Sequence, residues 1–307
     1  MAPSSESNPC FLPFLCTRSS ALTHASAFPP GSPHSPAGSV AASENTEAEG
    51  VSKKRQQMYF SLATNTAIDF GFVAASFVPL VLLWIFGTSP TGSGGLTAVW
   101  RLSLGLGAIP PLLVLLFRTR MREPEAYQKN RIAYNKLPWG LLMKKYWVRM
   151  LAVCLAWWCY DWVSYPAGIY SSLIIDAVVS DNDLYKTLGW NTVLNLFYVI
   201  GTLVGALFLV DRMGPKNCMI FGLLVQSAFA FGLAGGYEYL SARIGPFVVV
   251  YGLFLAFGEV GPGNCLGLLA SKAVAPTAVR GLFYAIAAVV GECFSSRCWL
   301  PNGGSCD

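Results

Sequence analysis

The stretch from 188 to 210, LGWNTVLNLFYVIGTLVGALFLV, contains no charged residue. A helix needs about 20 apolar residues to cross the hydrocarbon core of a bilayer. This stretch is long enough, and it therefore predicts a transmembrane helix.

Apolar segments of this kind recur from Met58 onward. They lie at about 58–87, 100–117, 147–177, 188–210, 217–236, 244–269 and 281–291. The first six are long enough to span a membrane, whereas the seventh is too short. The sequence thus predicts an all-α fold, a polytopic membrane helical bundle with about six to seven transmembrane helices.

The composition agrees with lipid as the main solvent of this fold. Of 307 residues, 54% are hydrophobic and 12% are charged, whereas a soluble domain carries about 25% charged residues. The two histidines, His24 and His34, precede the apolar body, and the nine cysteines contain no C-x-x-C pair. These patterns argue against a metal site, a histidine-based triad and a bound cofactor, and no nucleic-acid partner is expected.

Basic residues are distributed unevenly between alternate connections, and Lys and Arg collect in cytoplasmic loops. With 53–55 placed inside, sixteen basic residues fall on cytoplasmic connections and three on the opposite side, Arg101, Lys186 and Arg243. The segment 118–146 then forms a cytoplasmic central loop. The Ser- and Pro-rich segment 1–55 is predicted to be a disordered tail. Labelling from outside intact cells of a cysteine placed in the central loop would contradict this orientation.

Three side chains of the third apolar segment fall on one face of a helix. Trp157, Asp161 and Tyr165 are four residues apart, so each lies only about 40° from the one before. An ionised carboxylate is costly within the membrane, and a carboxyl kept there is a candidate for carrying a proton. Trp157 and Tyr165 supply N–H and O–H donors that can bind an anion. The alternative is an Asp that only packs against a neighbouring hydroxyl.

Two more motifs lie further along the chain. The turn after the fourth segment reads DRMGPK (Asp211–Lys216), and the sixth segment contains GEVGPGN (Gly258–Asn264), followed by PTAVR (Pro276–Arg280). The turn resembles the D-R-x-G-x-K turn of the major facilitator superfamily. The stripe and the Asn264-to-Arg280 spacing resemble the phosphate:proton symporters of that superfamily. The stretches 67–86, 100–127 and 254–281 are similar to its fungal glycerophosphodiester and glycerophosphoinositol permeases.

The resemblance implies a role for each group of residues. It places four residues in the substrate site: Trp157, Asp161, Tyr165 and Asn264. Apart from the resemblance, three carboxyls within apolar segments are candidates for proton coupling, because an ionised carboxyl is costly in lipid: Asp161, Glu259 and Asp69. For Glu259, packing or pairing with a cation is the alternative. The turn that takes part in the conformational change is carried by Asp211, Arg212, Gly214 and Lys216.

The resemblance also implies an incomplete major facilitator fold, with helices five to ten and the start of helix eleven. On this basis 56–117 forms the last two helices of the N-terminal half, and 147–291 forms part of the C-terminal half. Gly291-Glu292 stands where family members carry a lysine in helix eleven, so 292–307 is predicted to be an aberrant tail.

The predicted function is proton-coupled symport of phosphate or a glycerophosphodiester by an integral protein of the plasma membrane. Its partners are then the phosphate-containing substrate, protons and the lipid bilayer. One alternative is a truncated membrane protein that does not transport. The other is an intramembrane aspartyl protease built on Tyr160-Asp161, but no G-x-G-D segment supplies a second aspartate. Enzymatic activity is therefore not expected.

Overall fold

The computed structural model describes residues 39, 42–43, 46, 52–87, 93–119, 138–179, 183–273 and 279–299, and from 292 to 299 it describes the backbone alone. Every regular element in these ranges is helical. The α-helices are α1 (Gln56–Phe86), α2 (Ser93–Gly107), α3 (Ile109–Arg118), α4 (Trp139–Ile169), α5 (Ser171–Val178), α6 (Leu184–Val204), α7 (Val210–Met213), α8 (Pro215–Gly235), α9 (Tyr237–Ser241), α10 (Ile244–Gly258), α11 (Asn264–Leu268) and α12 (Arg280–Trp299).

Three π-helical turns connect some of these helices into longer rods. They are Gly205–Leu209, Glu259–Gly263 and Leu269–Ala273. The first joins α6 to α7, and the other two flank α11. A π-turn widens a helix locally and occurs often at functional sites.

Five stretches in the described part of the chain are long and apolar enough to cross a membrane. They are Gln56–Phe86, Gly95–Phe117, Leu184–Met213, Pro215–Gly235 and Ile244–Lys272. Helix α4 is equally long, with 31 residues, but its tryptophans, tyrosines and Asp161 make it less apolar. The apolar stretch Arg280–Gly291 is shorter. The prediction of an all-α membrane bundle is confirmed.

The ends of the predicted segments differ in several places from the structure. Helix α12 continues past Gly291 to Trp299, although the apolar pattern ends at 291. The central loop was predicted from 118 to 146, but α4 already begins at Trp139; 120–137 lies outside the described residues. Seven of the described residues in the predicted tail are helical: Ser39, Ala42, Ser43, Thr46 and the 3-10 turn Lys53–Arg55. Of these, Ser39, Ser43 and Thr46 are buried. The rest of 1–51, and 300–307, also lie outside the described residues.

Helix α10 lies at the centre of the bundle. The Ile244–Lys272 span is the most buried of the five, and α10 packs against both α6 and α8. Helix α1 packs along α6, and α4 packs along α12. The outer faces carry exposed rings such as Trp84 and Phe231, which suits contact with lipid.

Glycines bring the central helices into close contact. A Cβ on Gly222 of α8 would lie 3.0 Å from the backbone oxygen of Phe257 and 2.8 Å from the backbone nitrogen of Gly261. Small residues at such positions let the backbones of membrane helices approach each other. Gly222 therefore lets α8 approach α10 and the π-turn that contains Glu259.

Candidate functional site

Helix α1 presents a polar face to the centre of the bundle. Ser61, Asn65 and Asp69 are four residues apart on this helix, so they form one stripe. Asp69 is 1% exposed and accepts a hydrogen bond from the Thr202 hydroxyl of α6. The Ser61 hydroxyl donates to the backbone oxygen of Asn264 at 3.4 Å. Helix α1 is therefore joined by polar contacts to α6 and α11.

Glu259 accepts hydrogen bonds from two different helices. The amide nitrogen of Asn65 on α1 donates to Glu259 Oε2 at 2.8 Å, and the Tyr160 hydroxyl on α4 donates to Oε1 at 3.0 Å. Glu259 opens a π-turn that contains Pro262. This turn interrupts the regular helical hydrogen bonding beside the carboxyl. Glu259 thus links α1, α4 and α10.

Asn264 lies one turn further along the same rod and is 2% exposed. Its amide nitrogen donates to the backbone oxygen of Thr202 at 3.1 Å, and its amide oxygen lies 3.5 Å from the Asn65 amide nitrogen. A buried amide is costly in lipid unless it has such partners. Asn264 and Glu259 therefore share Asn65 as a common neighbour.

The stripe on α4 faces the same space. Trp157 and Asp161 are buried, and Tyr165 is half-buried. The Trp157 ring meets the Tyr284 ring of α12 edge to face, with centroids 5.5 Å apart. A Cβ on Gly291 would lie 2.6 Å from Trp157 Cγ. A larger side chain at 291 would therefore have to displace the Trp157 ring.

These side chains line one cavity of about 450 Å³. This volume is in the range of small-molecule binding sites. The cavity contains all six residues that were predicted for substrate binding or proton coupling. It is lined by Ser39, Phe60, Thr64, Asn65, Ile68, Asp69, Phe72, Trp157, Tyr160, Asp161, Ser164, Tyr165, Gly168, Asn195, Tyr198, Glu259, Gly263, Asn264, Leu266, Gly267 and Tyr284. The structure brings the six residues together, and their roles stay predictions.

Several residues that line the cavity were not predicted from the sequence. Asn65, Tyr198 and Asn195 carry polar groups into the cavity, and Tyr160 contacts Glu259. Asn65 could have been found from its spacing, because it lies between Ser61 and Asp69 on one face of an apolar helix. Asn195 donates to the Ser76 hydroxyl at 3.0 Å, a contact between distant parts of the chain that spacing does not reveal.

The predicted conformational turn lies at the start of α1. The carboxylate of Asp211 accepts a hydrogen bond from the Met58 backbone nitrogen at 3.3 Å. A carboxylate at this position satisfies one of the first N–H groups of a helix and interacts favourably with its dipole. Gly214 has φ 77°, a conformation that favours glycine. Arg212 and Lys216 are exposed beside it. The role of this turn in conformational change stays a prediction.

The segment after Asn264 is described only in part. Of the PTAVR motif, 276–278 lies outside the described residues. Arg280 is buried, and its guanidinium donates to the Ser43 hydroxyl at 3.3 Å. Ser43 of the N-terminal segment therefore contacts the start of α12.

Gly205 fits closely against the polar residues of the cavity. A Cβ there would lie 2.5 Å from the Asn264 amide nitrogen and 2.6 Å from the Val260 backbone oxygen. We expect Gly205→Ala to move Asn264 and to destabilise the protein by about 1–3 kcal/mol, as overpacking does. Gly189→Ala in α6 is the control, because a Cβ there meets nothing within 4 Å. Thermal unfolding of the purified variants measures the difference, and equal midpoints would contradict the close fit.

The membrane-spanning helices thus surround a cavity whose wall carries three carboxyls and three amides. A family model described as "Sugar (and other) transporter" matches residues 120–296. The chain belongs to this family, which confirms the predicted membership of the major facilitator superfamily. The protein is an integral membrane protein.

Relatives with curated names support the same assignment. The glycerophosphocholine permease GIT4 of Candida albicans is 44% identical over 260 residues, covering 84% of this chain and 47% of the permease. Glycerophosphoinositol transporter 1 of Saccharomyces cerevisiae is 36% identical over 251 residues, covering 81% of this chain and 47% of that transporter. The inorganic phosphate transporter PT2 of Toxoplasma gondii is 25% identical over 277 residues, covering 88% of this chain and 47% of that transporter. The chain thus spans about half the length of these relatives, and the predicted similarity to fungal glycerophosphodiester permeases is confirmed.

Proposed function

We propose that the protein transports a glycerophosphodiester, or phosphate itself, across the plasma membrane together with protons. The observation that carries the proposal is the cavity, where Trp157, Asp161, Tyr165 and Asn264 lie together. The relatives named as permeases for glycerophosphocholine and glycerophosphoinositol support this substrate class. They also favour transport over peptide hydrolysis, the activity of the protease alternative.

The substrate site is proposed to bind the phosphate through neutral donors. The Asn264 amide has a second N–H group besides the one that donates to Thr202, and Trp157 and Tyr165 have an indole N–H and a hydroxyl. Such donors can bind a phosphate oxygen without a fixed positive charge. Asp161 would add a donor when it is protonated and would accept from a protonated phosphate when it is ionised.

Proton coupling is proposed to involve Asp161 and Glu259, with Asp69 as a third candidate. Of the three carboxyls, Glu259 is the one whose protonation would most directly change contacts between helices. Its two oxygens accept hydrogen bonds from Asn65 and Tyr160, which lie on different helices. Gain of a proton by the carboxyl would replace an acceptor by a donor and so weaken one of these contacts. A change at Glu259 would thereby alter how α1 packs against α4 and α10.

Uptake by yeast cells that lack their own glycerophosphodiester uptake tests this proposal. Cells expressing the protein should take up labelled glycerophosphocholine, glycerophosphoinositol or phosphate above the level of vector controls. A protonophore should reduce the uptake. Uptake that is unaffected by both the protonophore and external pH would contradict the proposed proton coupling. Competition by sugars but not by phosphate esters would contradict the proposed substrate class. A correctly inserted protein that neither binds nor transports these compounds would favour the non-transporting alternative.

A further inference from the structure

Asn65 of α1 contacts both a candidate proton carrier and a candidate substrate residue. Its amide nitrogen donates to Glu259 Oε2 at 2.8 Å and to Asn264 Oδ1 at 3.5 Å. This nitrogen carries two N–H groups, so one side chain can serve both acceptors. A change in the charge of Glu259 can therefore reach Asn264 through Asn65.

The two distances indicate which of these contacts is the stronger. A hydrogen bond to an ionised carboxylate is shorter and about twice as strong as one between neutral groups. The 2.8 Å contact with Glu259 fits an ionised acceptor, whereas the 3.5 Å contact with the neutral Asn264 amide is close to the limit of a hydrogen bond. In this arrangement Asn65 is held mainly by Glu259.

Gly263 leaves space for the contact between Asn65 and Glu259. A Cβ at Gly263 would lie 2.7 Å from Glu259 Cδ and 3.2 Å from Asn65 Nδ2. A larger residue at 263 would therefore push the carboxyl away from its present position. Gly263 ends the π-turn that Glu259 opens, so the same turn supplies the carboxyl and the space beside it.

Titratable groups of several helices surround the π-turn of Glu259, and Asp161 lies in the same cavity wall. In the part of the chain that the structure describes, the groups next to this turn are Asp69 of α1, Tyr160 of α4, Tyr198 of α6, Cys218 of α8 and Cys265 of α11. Asn65 differs from these groups because its amide does not titrate. It can respond to the charge of Glu259 without exchanging a proton of its own.

We infer that Asn65 is a positioning residue through which protonation of Glu259 prepares Asn264 for the substrate. The inference rests on the proposed function and assigns its coupling to one side chain. When Glu259 gains a proton, it becomes a weaker acceptor, and the Asn65 amide is free to strengthen its contact with Asn264 Oδ1. With its oxygen held by Asn65 and one N–H held by Thr202, the Asn264 amide is fixed in one orientation. Its second N–H then binds the phosphate at a smaller ordering cost.

This arrangement makes the binding of the proton and the binding of the ester favour each other. By linkage, a proton that increases the affinity for the ester is itself bound more tightly, by the same factor, when the ester is present. The affinity for the ester should therefore rise as the pH falls through the range in which Glu259 gains its proton.

Equilibrium binding to the purified full chain in nanodiscs tests the inference. The probe is labelled glycerophosphocholine, because its phosphodiester keeps the same charge at acidic and at mildly alkaline pH. The measured quantity is the affinity ratio, the dissociation constant at alkaline pH divided by that at acidic pH. We expect an affinity ratio of about five- to tenfold for the wild type, the effect of one hydrogen bond. For Asn65→Ala we expect about twofold, since the remaining carboxyls still act through space.

Matched variants separate the coupling from binding and packing. Asn195→Ala removes another amide from the cavity wall, one that donates to Ser76, and should keep the wild-type affinity ratio whether or not its affinity changes. Gly263→Ala keeps the Asn65 amide but displaces Glu259, and should lower the ratio as Asn65→Ala does. In a Glu259→Gln background, Asn65→Ala should lower the ratio no further, because both substitutions break the same link. If thermal unfolding shows that Asn65→Ala does not fold, Gly263→Ala decides the question.

The outcomes distinguish this inference from the proposed function. A wild-type affinity ratio kept in Asn65→Ala, even with weaker binding at every pH, would overturn the inference while the protein remained a glycerophosphodiester transporter. A wild-type affinity that does not depend on pH, or a further fall of the ratio in the double variant, would also overturn it. If the wild type binds no phosphate ester and takes up none, the proposed function is wrong, and the inference fails with it.

Discussion

An Asp161→Asn variant is expected to lose at least nine-tenths of glycerophosphodiester uptake while its abundance in the membrane stays close to that of the wild type. The side chain is 6% exposed and lies in the cavity wall. Asparagine keeps most of the volume but removes the charge and the titratable proton. A hydrogen bond to a charged group contributes about 1.5–3 kcal/mol, which corresponds to a loss of about tenfold or more.

Initial rates of labelled glycerophosphocholine uptake, divided by the amount of protein in the membrane, measure this effect. Asp176→Asn is the control, because Asp176 is exposed, lies outside the cavity and can still accept the hydrogen bond from Thr187 as an amide. We expect this control to keep its uptake. Unaltered uptake by Asp161→Asn would show that Asp161 only packs between helices.

A Glu259→Gln variant is expected to uncouple uptake from the proton gradient. Glutamine keeps the shape of the side chain, and its remaining oxygen can accept from either Asn65 or Tyr160. The Tyr160 hydroxyl can rotate to accept from the new amide. Equilibrium binding of the ester should therefore stay within about tenfold of wild type, since one hydrogen bond contributes about 0.5–1.5 kcal/mol. Uptake should lose its dependence on pH and on a protonophore.

Uptake measured over a range of external pH, with and without protonophore, shows whether the coupling is lost. Glu238→Gln is the control for this substitution, because Glu238 is exposed on α9. It should keep the pH profile of the wild type. A Glu259→Gln protein with the same profile as the Glu238→Gln control would assign the proton to another group, with Asp161 and Asp69 as the remaining candidates.

The sequence predicted the helices of the bundle because their apolar segments are long and carry few charges. It also predicted the α4 stripe, since Trp157, Asp161 and Tyr165 repeat every four residues. That Asn264 faces the same cavity followed from the cost of a polar side chain in lipid, which favours a shared polar space. These predictions depend on local spacing and on the lipid solvent, and both can be inferred from one chain.

Other features depend on contacts between distant segments and could not be predicted in this way. The position of Asp69 relative to the other helices was one of them, because its hydrogen-bond partner Thr202 is 133 residues away. The π-turn at Glu259 was another, because its Gly261 packs against Gly222 of α8, a contact with a different helix. The contact of Asn65 with Glu259 was a third, because spacing can place Asn65 on the polar face of α1 but does not reveal a partner 194 residues away.

The central claim, that a glycerophosphodiester occupies this cavity, is tested most directly by protection of an engineered cysteine. Ser164 lines the cavity and differs from cysteine by one atom, so Ser164→Cys should accept a small thiol reagent without misfolding. Asn217→Cys, exposed near the start of α8, is the control. Both are placed in a background in which serine replaces the exposed Cys159 and also Cys10, Cys16, Cys293, Cys298 and Cys306. The account predicts that saturating glycerophosphocholine slows labelling at 164 several-fold and leaves labelling at 217 unchanged. Equal labelling at 164 with and without the ester, in a protein that binds it, would place the ligand elsewhere and contradict the account.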